Sequence, residues 1–237
     1  MRGAALTWVL AVLALAASGC SRAPENRSTE PASSEDEPHA QEEINLDLWL
    51  ERLEVGSREL YSARENVVGA IGISAGDTVA DIGAGTGLYS LLFAEAVGPE
   101  GRVFAEDIEP LFLDLINRRA EDAGVNNITA VYGRETDVTL PDRVVDFVFI
   151  ADTYHYFDDR EAVMTSILRA LKPGGSLIIV DYDLEPGAEK PSEKSHVRFG
   201  KAGVISEIEF VGFEFVEEPD VEGLEENYMI RFEKPAS

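Results

Sequence analysis

The chain's 237 residues are enough for one domain with a full hydrophobic core. Forty-five acidic against 20 basic residues leave a formal charge of −25, which argues against nucleic acid as a partner, because phosphate binding needs a basic patch, and suits a small-molecule substrate or a basic partner. A single cysteine, Cys20, excludes a disulfide or a thiolate metal site within one chain.

Met1–Gly19 reads as a signal peptide. Arg2 supplies a minimal positive start, Ala4–Ala17 is apolar apart from Thr7, and Ala17-Ser18-Gly19 stand directly before Cys20. The run is short for a transmembrane helix. It resembles a bacterial lipoprotein signal, with Ala17 where leucine is commonest. That resemblance implies a lipid on Cys20 and an exported, membrane-anchored protein, facing the periplasm in a cell with two membranes. An uncleaved apolar anchor leads to the same tethering. Residues 20–43 are rich in Ser, Pro and Glu and read as a disordered tether, which leaves 44–237 to carry the fold.

Ile44–Leu53 has the apolar spacing of a short amphipathic helix lying over the domain or its site. Ser57 reads as the cap of a second helix running to about Ile71, with Leu60, Tyr61, Arg64, Val67 and Val68 at helical spacing. After a turn at Ser74–Asp77 comes V-A-D-I-G-A-G-T-G over Val79–Gly87. Val79, Ala80 and Ile82 suit a strand buried on both faces, Asp81 interrupts the run, and Gly83, Gly85 and Gly87 make a bare turn into a helix over Leu88–Val97. In that helix Leu88, Leu91, Leu92 and Val97 are the expected core stripe. Strand, glycine turn and helix bring backbone and a helix N-terminus close to a ligand.

Arg102–Glu106 reads as the second strand, followed by Asp107, twenty residues after Gly87, where doubly wound nucleotide folds carry the acid that binds ribose hydroxyls. Glu106 is the rival for that role. Pro110 opens the next helix, with Leu111, Leu115 and Ala120 expected inward and Arg118 and Arg119 solvated. The third strand is Ile128–Tyr132, followed by the loop Gly133–Asp137, and the fourth is Val144–Ala151. Asp152-Thr153-Tyr154-His155-Tyr156-Phe157 then concentrates acid, histidine and three aromatics at the switch point of such a sheet. Arg160–Leu171 reads as a helix, Ser176–Tyr182 as a strand, Leu184–Phe199 as a loop with His196 and Arg198 as candidates for an anionic substrate group, and Lys201–Val211 as a last helix. Phe213–Val216 and Tyr228–Phe232 read as an antiparallel pair.

An amine near Asp81 and a ribose near Asp107 fit S-adenosylmethionine. The chain resembles the class I S-adenosylmethionine-dependent methyltransferases from roughly Tyr61 to Phe232, with Asp81–Gly87 matching their first motif and Asp107 their second. Alternating strands and helices indicate an α/β fold. The resemblance implies the rest: a Rossmann-like seven-stranded, mostly parallel sheet with helices on both faces and an antiparallel last strand. It implies cofactor contacts from Asp81, Gly83, Ala84, Gly85, Gly87, Asp107, Ile108 and Asp152. Glu135 or Asp137 would meet the adenine amine, since Arg134 stands where relatives place an acid. Tyr61 or Arg64 are candidates from the covering helices, with packing as the alternative.

The segment holding His155 and Tyr154 lies at the transferred methyl in that family. Aromatic faces attract a sulfonium, and an imidazole can deprotonate an acceptor hydroxyl or amine, so His155 and Tyr154 are the catalytic candidates. A metal between Asp152 and Asp181 lacks a complete ligand set, so none is expected. The acceptor is expected to be a small molecule that the sequence does not identify, and the sequence does not fix the oligomeric state. Two rivals remain. One is a non-catalytic S-adenosylmethionine-binding or sensor protein, raised by the export signal. The other is an NAD-dependent oxidoreductase, disfavoured by the glycine spacing.

Overall fold

The computed structural model describes residues 45–183 and 200–236. The signal segment, Cys20, the tether and the loop with His196 and Arg198 lie outside the described residues. Seven strands form one sheet in the order β3-β2-β1-β4-β5-β7-β6. In chain order the strands are β1 Thr78–Ile82, β2 Arg102–Asp107, β3 Ile128–Tyr132, β4 Val145–Ala151, β5 Leu171–Tyr182, β6 Glu214–Glu217 and β7 Asn227–Glu233. β1 to β5 pair in parallel, and β7 runs antiparallel to both β5 and β6. The seven-stranded, mostly parallel sheet with an antiparallel last strand is as expected.

Among the described residues the helices are α1 Leu46–Leu53, α2 Glu59–Ser62, α3 Arg64–Ile71, α4 Leu88–Val97, α5 Pro110–Asp122, α6 Arg160–Ala170 and α7 Lys201–Val211, with a single 3-10 turn at Tyr154–Tyr156. Side chains alternate across the sheet and build two cores. On one face Ala80, Ile82, Val148 and Ile150 pack with Val163 and Ile167 of α6 and Ile208 of α7. On the other, Val79, Val103, Phe149 and Ile178 pack with Val67 and Ile71 of α3 and Phe93 and Val97 of α4.

Several local expectations change. The segment from Ser57 is two helices, because Ala63 leaves helical geometry (φ −94°, ψ 7°). The Glu59 carboxylate pins the first of them to the start of β7, accepting from the backbone N–H groups of Glu225, Glu226 and Asn227 at 2.8–3.1 Å. In α4 the inward residues are Tyr89, Phe93, Ala94 and Val97, while Leu91 and Leu92 are half-buried. In α5 they are Phe112 and Ile116, one position on from the expected Leu111 and Leu115, together with the expected Ala120, and Leu111 is exposed. Ile116 fixes that phase: a Cβ on Gly87 would meet its Cγ1 at 2.8 Å, so the helix nests against the bare loop. β5 begins earlier than expected, at Leu171, and takes Pro173-Gly174-Gly175 into a register shift against β4.

Candidate active site

The sheet order reverses at β1, which lies between β2 and β4, so the chain leaves its carboxyl end in opposite directions and opens a crevice there. The crevice measures about 730 Å³, within the range of small-molecule sites. Its wall includes the loop after β1 (Gly83–Thr86), the end of β2 (Glu106, Asp107, Ile108), the loop after β3 (Arg134, Glu135), and Ala151–Asp158 apart from Tyr154.

The glycine loop is required by two different constraints. Gly83, Gly85 and Gly87 all have positive φ, between 53° and 79°. At Gly83 space is also closed, since an added Cβ would lie 2.3 Å from Cγ2 and 2.6 Å from Oγ1 of Thr153. The loop amides do not wait for an anion. Gly85 N–H donates to Asp107 Oδ2 at 2.9 Å, Gly83 N–H to Glu106 Oε2 at 3.4 Å, and Ala84 N–H to the Glu106 carbonyl at 2.9 Å.

Asp81 sits behind this loop. It is 3% exposed, does not line the crevice, and accepts from Ser90 Oγ, in the first turn of α4, at 2.5 Å. Burial pushes it up to about 7 against the opposing Ser90 hydrogen bond. A carboxylate therefore already answers the positive end of α4.

Asp107 lines the crevice and also accepts from Glu109 N–H at 2.9 Å. Burial raises it, and the Glu109 and Gly85 amides pull the other way. Glu106 is raised to about 8, first by burial and then by Asp107, and its carboxylate occupies the space a side chain at position 133 would need. Both acids reach the crevice, so strand alternation does not separate them. Glu135 also lines it. Asp137 does not, and is paired with Arg169 at 3.1 Å.

At the other end Asp152 has positive φ (46°) and lines the wall. Arg58 donates to its Oδ2 at 2.6 Å. Its Oδ1 is buried with no hydrogen-bond partner among the described residues. Burial raises Asp152, with Arg58 opposing. His155 lines the crevice with Tyr156, whose ring centroid is 4.2 Å away, and its Nδ1 lies 2.7 Å from Asp181 Oδ1. Tyr154 is not brought to the crevice. It is 2% exposed, and its hydroxyl donates to Glu207 Oε2 of α7 at 2.9 Å.

The roof comes from α1, the amphipathic helix expected over the domain or its site, joined by Arg58, which sequence spacing did not single out. Trp49, Arg52 and Leu53 of α1, with Arg58, line the crevice, whereas Tyr61 and Arg64 do not and stack on each other. Trp49 meets Phe112 edge-on at 5.8 Å. Arg119, expected in solvent, forms an ion pair with Glu54 after α1 and donates to the Thr86 carbonyl at 2.8 Å, tying the roof to the glycine loop. The apolar spacing of α1 was the signal that placed the helix, and it carries no information about the distant partners of Arg58 and Arg119.

Comparison with known proteins agrees with this geometry. Residues 79–175 match a family model described as a methyltransferase domain. A ubiquinone/menaquinone biosynthesis C-methyltransferase UbiE of Pseudomonas putida is 36% identical over 124 residues, covering 52% of this chain and 46% of that protein. A demethylmenaquinone methyltransferase of Listeria welshimeri is 29% identical over 118 residues, half of each chain. The chain thus spans about half the length of the curated relatives it matches. A SAM-dependent methyltransferase from Aquifex aeolicus shares the fold, with TM-score 0.69 and 24% identity over 81% of this chain and 99% of that one.

The residues present suit S-adenosylmethionine: Asp107 and Glu106 are acceptors for a ribose diol, and the orphaned Asp152 Oδ1 is an acceptor for an ammonium group. Carboxylates at both ends of an aromatic-walled crevice match a ligand that is cationic at one end and hydroxylated at the other. Residues 79–175 match a methyltransferase domain, the chain has the Rossmann-like fold, and the crevice suits S-adenosylmethionine as a cofactor.

Proposed function

We propose that this protein transfers a methyl group from S-adenosylmethionine to a small acceptor bearing an ionisable proton. The observation that carries it is the crevice itself, with β2 acids and a bare glycine loop at one end and His155 among aromatic rings at the other. When bound, S-adenosylmethionine supplies an electrophilic methyl on a sulfonium. Asp107, with Glu106 beside it, would hold the ribose; Gly83, Ala84 and Gly85 would let backbone approach; Ile108, 53% exposed at the mouth, would cover the adenine beside Glu135. Asp152 would hold the amine. Gly87 and Asp81 serve one step back, setting the loop against α5 and α4. His155 would take the acceptor's proton. Tyr154 braces that turn through Glu207 rather than touching the acceptor.

The roof formed by Trp49, Leu53 and Arg58 would exclude water. Curated relatives are named for demethylmenaquinone and for ubiquinone/menaquinone biosynthesis, so a demethylated quinol is the first acceptor to try. We further propose export and lipid anchoring, from Met1–Gly19 and Cys20 alone. Export places the protein away from the cytoplasmic cofactor supply, which favours a sensor as the second reading.

The experiment has two stages. Thermal shift of the purified protein with S-adenosylmethionine and with NAD should show stabilisation by the first alone. Labelled methyl transfer to a demethylated quinol and to simple phenols then separates enzyme from sensor. Stabilisation by NAD alone would overturn the cofactor assignment, and binding without transfer to any acceptor would favour the sensor.

A further inference from the structure

We propose that Asp181 is the positioning residue for His155: it holds the imidazole as the Nδ1–H tautomer, so that Nε2 is the nitrogen that accepts the acceptor's proton. This rests on the methyl-transfer reading and assigns a part of it to a residue outside the crevice wall. Asp181 lies on β5, the neighbour of β4, and is 2% exposed. Its Oδ1 is 2.7 Å from His155 Nδ1 and also accepts from Tyr182 N–H at 2.8 Å, which fixes the carboxylate's orientation. Imidazole and carboxylate side chains are only 4% and 3% exposed, so solvent does not compete for this contact. A carboxylate accepts and does not donate, so the proton on this edge of the ring must sit on Nδ1 and the lone pair on Nε2.

Asp181, Asp152 and the rings of Tyr156 and Tyr182 face His155, with Arg58 bound to Asp152 as the nearby cation. In the transfer the acceptor's lone pair forms the bond to the methyl carbon, the carbon–sulfur pair stays on sulfur, and the acceptor's proton moves to Nε2. Positive charge lost from the sulfonium reappears on an imidazolium that keeps its hydrogen bond to Asp181. The acceptor must then arrive protonated, as a hydroxyl, an amine or an acidic carbon.

The test is the nitrogen-15 NMR spectrum of the neutral imidazoles in the full chain. The three histidines, His39, His155 and His196, are distinguished by His155→Gln. Wild type should show His155 with Nδ1 protonated and Nε2 bare, the reverse of the form free imidazole side chains favour. Asp181→Leu, which removes the acceptor, should shift it to Nε2–H and lower methyl transfer by about 100-fold or more. Binding of S-adenosylmethionine should change less than about threefold, measured by calorimetry. An Nε2–H ring in wild type would overturn the proposal, a reading that needs no variant to fold, and so would a tautomer unchanged by Asp181→Leu. Failure of wild type to bind S-adenosylmethionine would instead sink the methyl-transfer reading and leave the tautomer result standing.

Discussion

Replacing Gly83 by alanine separates two demands that the loop makes on its glycines. At φ 66° an L-residue costs about 1–2 kcal/mol. The new Cβ would also lie 2.3 Å and 2.6 Å from the Thr153 Cγ2 and Oγ1 atoms. Thr153 cannot swing away cheaply, because its Oγ1 donates to the Ala151 carbonyl at 2.8 Å and its backbone follows the strained Asp152. Forced overpacking of this kind adds about 1–3 kcal/mol, so Gly83→Ala should lose about 2–5 kcal/mol in all. Gly85→Ala is the control. Its φ is 53°, but the nearest atom to an added Cβ is Leu53 Cδ1 at 3.7 Å, an ordinary contact, so it should lose only the backbone cost of about 1–2 kcal/mol.

Urea unfolding of the full chain reads the difference, and Gly83→Ala should lower the midpoint by about 1–2 M. In a Thr153→Ala background, where the two closest atoms are gone, the cost of Gly83→Ala should fall by about 1–3 kcal/mol. Equal losses at positions 83 and 85, or a strictly additive Gly83–Thr153 cycle, would refute the steric account of this turn.

Asp107→Asn should weaken S-adenosylmethionine binding by roughly 10- to 150-fold by calorimetry, the equivalent of a charged hydrogen bond, and should also lower the melting temperature, because its NH2 leaves the Gly85 or the Glu109 amide without an acceptor. Glu106 carries a proton more tightly folded than unfolded, being raised to about 8, so its contribution to stability falls as pH climbs from about 4.5 to about 8. Urea unfolding across that range should therefore show declining stability in wild type and a shallower decline in Glu106→Gln, with Asp81, raised to about 7, and the likewise raised Asp107 and Asp152 contributing to the slope that remains. Arg58→Met leaves Asp152 without its counter-charge and should lose about 2–3 kcal/mol in the same assay, short of a fully buried pair because Arg58 is 21% exposed; adding Asp152→Asn should return most of it.

What the sequence showed and what it hid divide along the distance over which the causes act. Strand β1, the glycine turn and helix α4 are dictated by neighbours in the chain, and α4 falls on its expected residues, Leu88–Val97. The acid at the end of β2 is legible for the same reason, because one crossover links it to the loop. The inward faces of α4 and α5 were legible only at Val97 and Ala120, since every turn offers apolar residues and the choice is made by Gly87, which admits Ile116, and by the Phe93–Phe149 edge contact at 5.1 Å. Arg119 reads as a solvated surface residue until Glu54, 65 positions away, is placed beside it. Arg58 is paired across 94 positions. Tyr154 shows the converse error. It sits next to His155 in sequence, but a 3-10 turn carries successive side chains to different sides, and its hydroxyl ends on α7.

The same long-range contacts explain how so acidic a site is held together. Asp81, Glu106 and Asp107 lie close enough that each of the first two is raised in part by the third, and two loop amides are committed to the β2 acids. Such a cluster repels itself and gains from any cation that enters. On the opposite wall Asp152 keeps one oxygen on Arg58 and the other without a partner among the described residues. A polyphosphate would find helix, loop amides and strand ends already answered by carboxylates. A ligand with positive charge for Asp152 finds an unmet acceptor there, and its hydroxyls find on Asp107 carboxylate oxygens that each take one amide and keep a further lone pair. The crevice thus offers acceptors where a phosphate site would offer unpaired amides, on grounds independent of the glycine spacing, and Arg119, by bonding the Thr86 carbonyl, brings a fixed positive charge to that acidic loop.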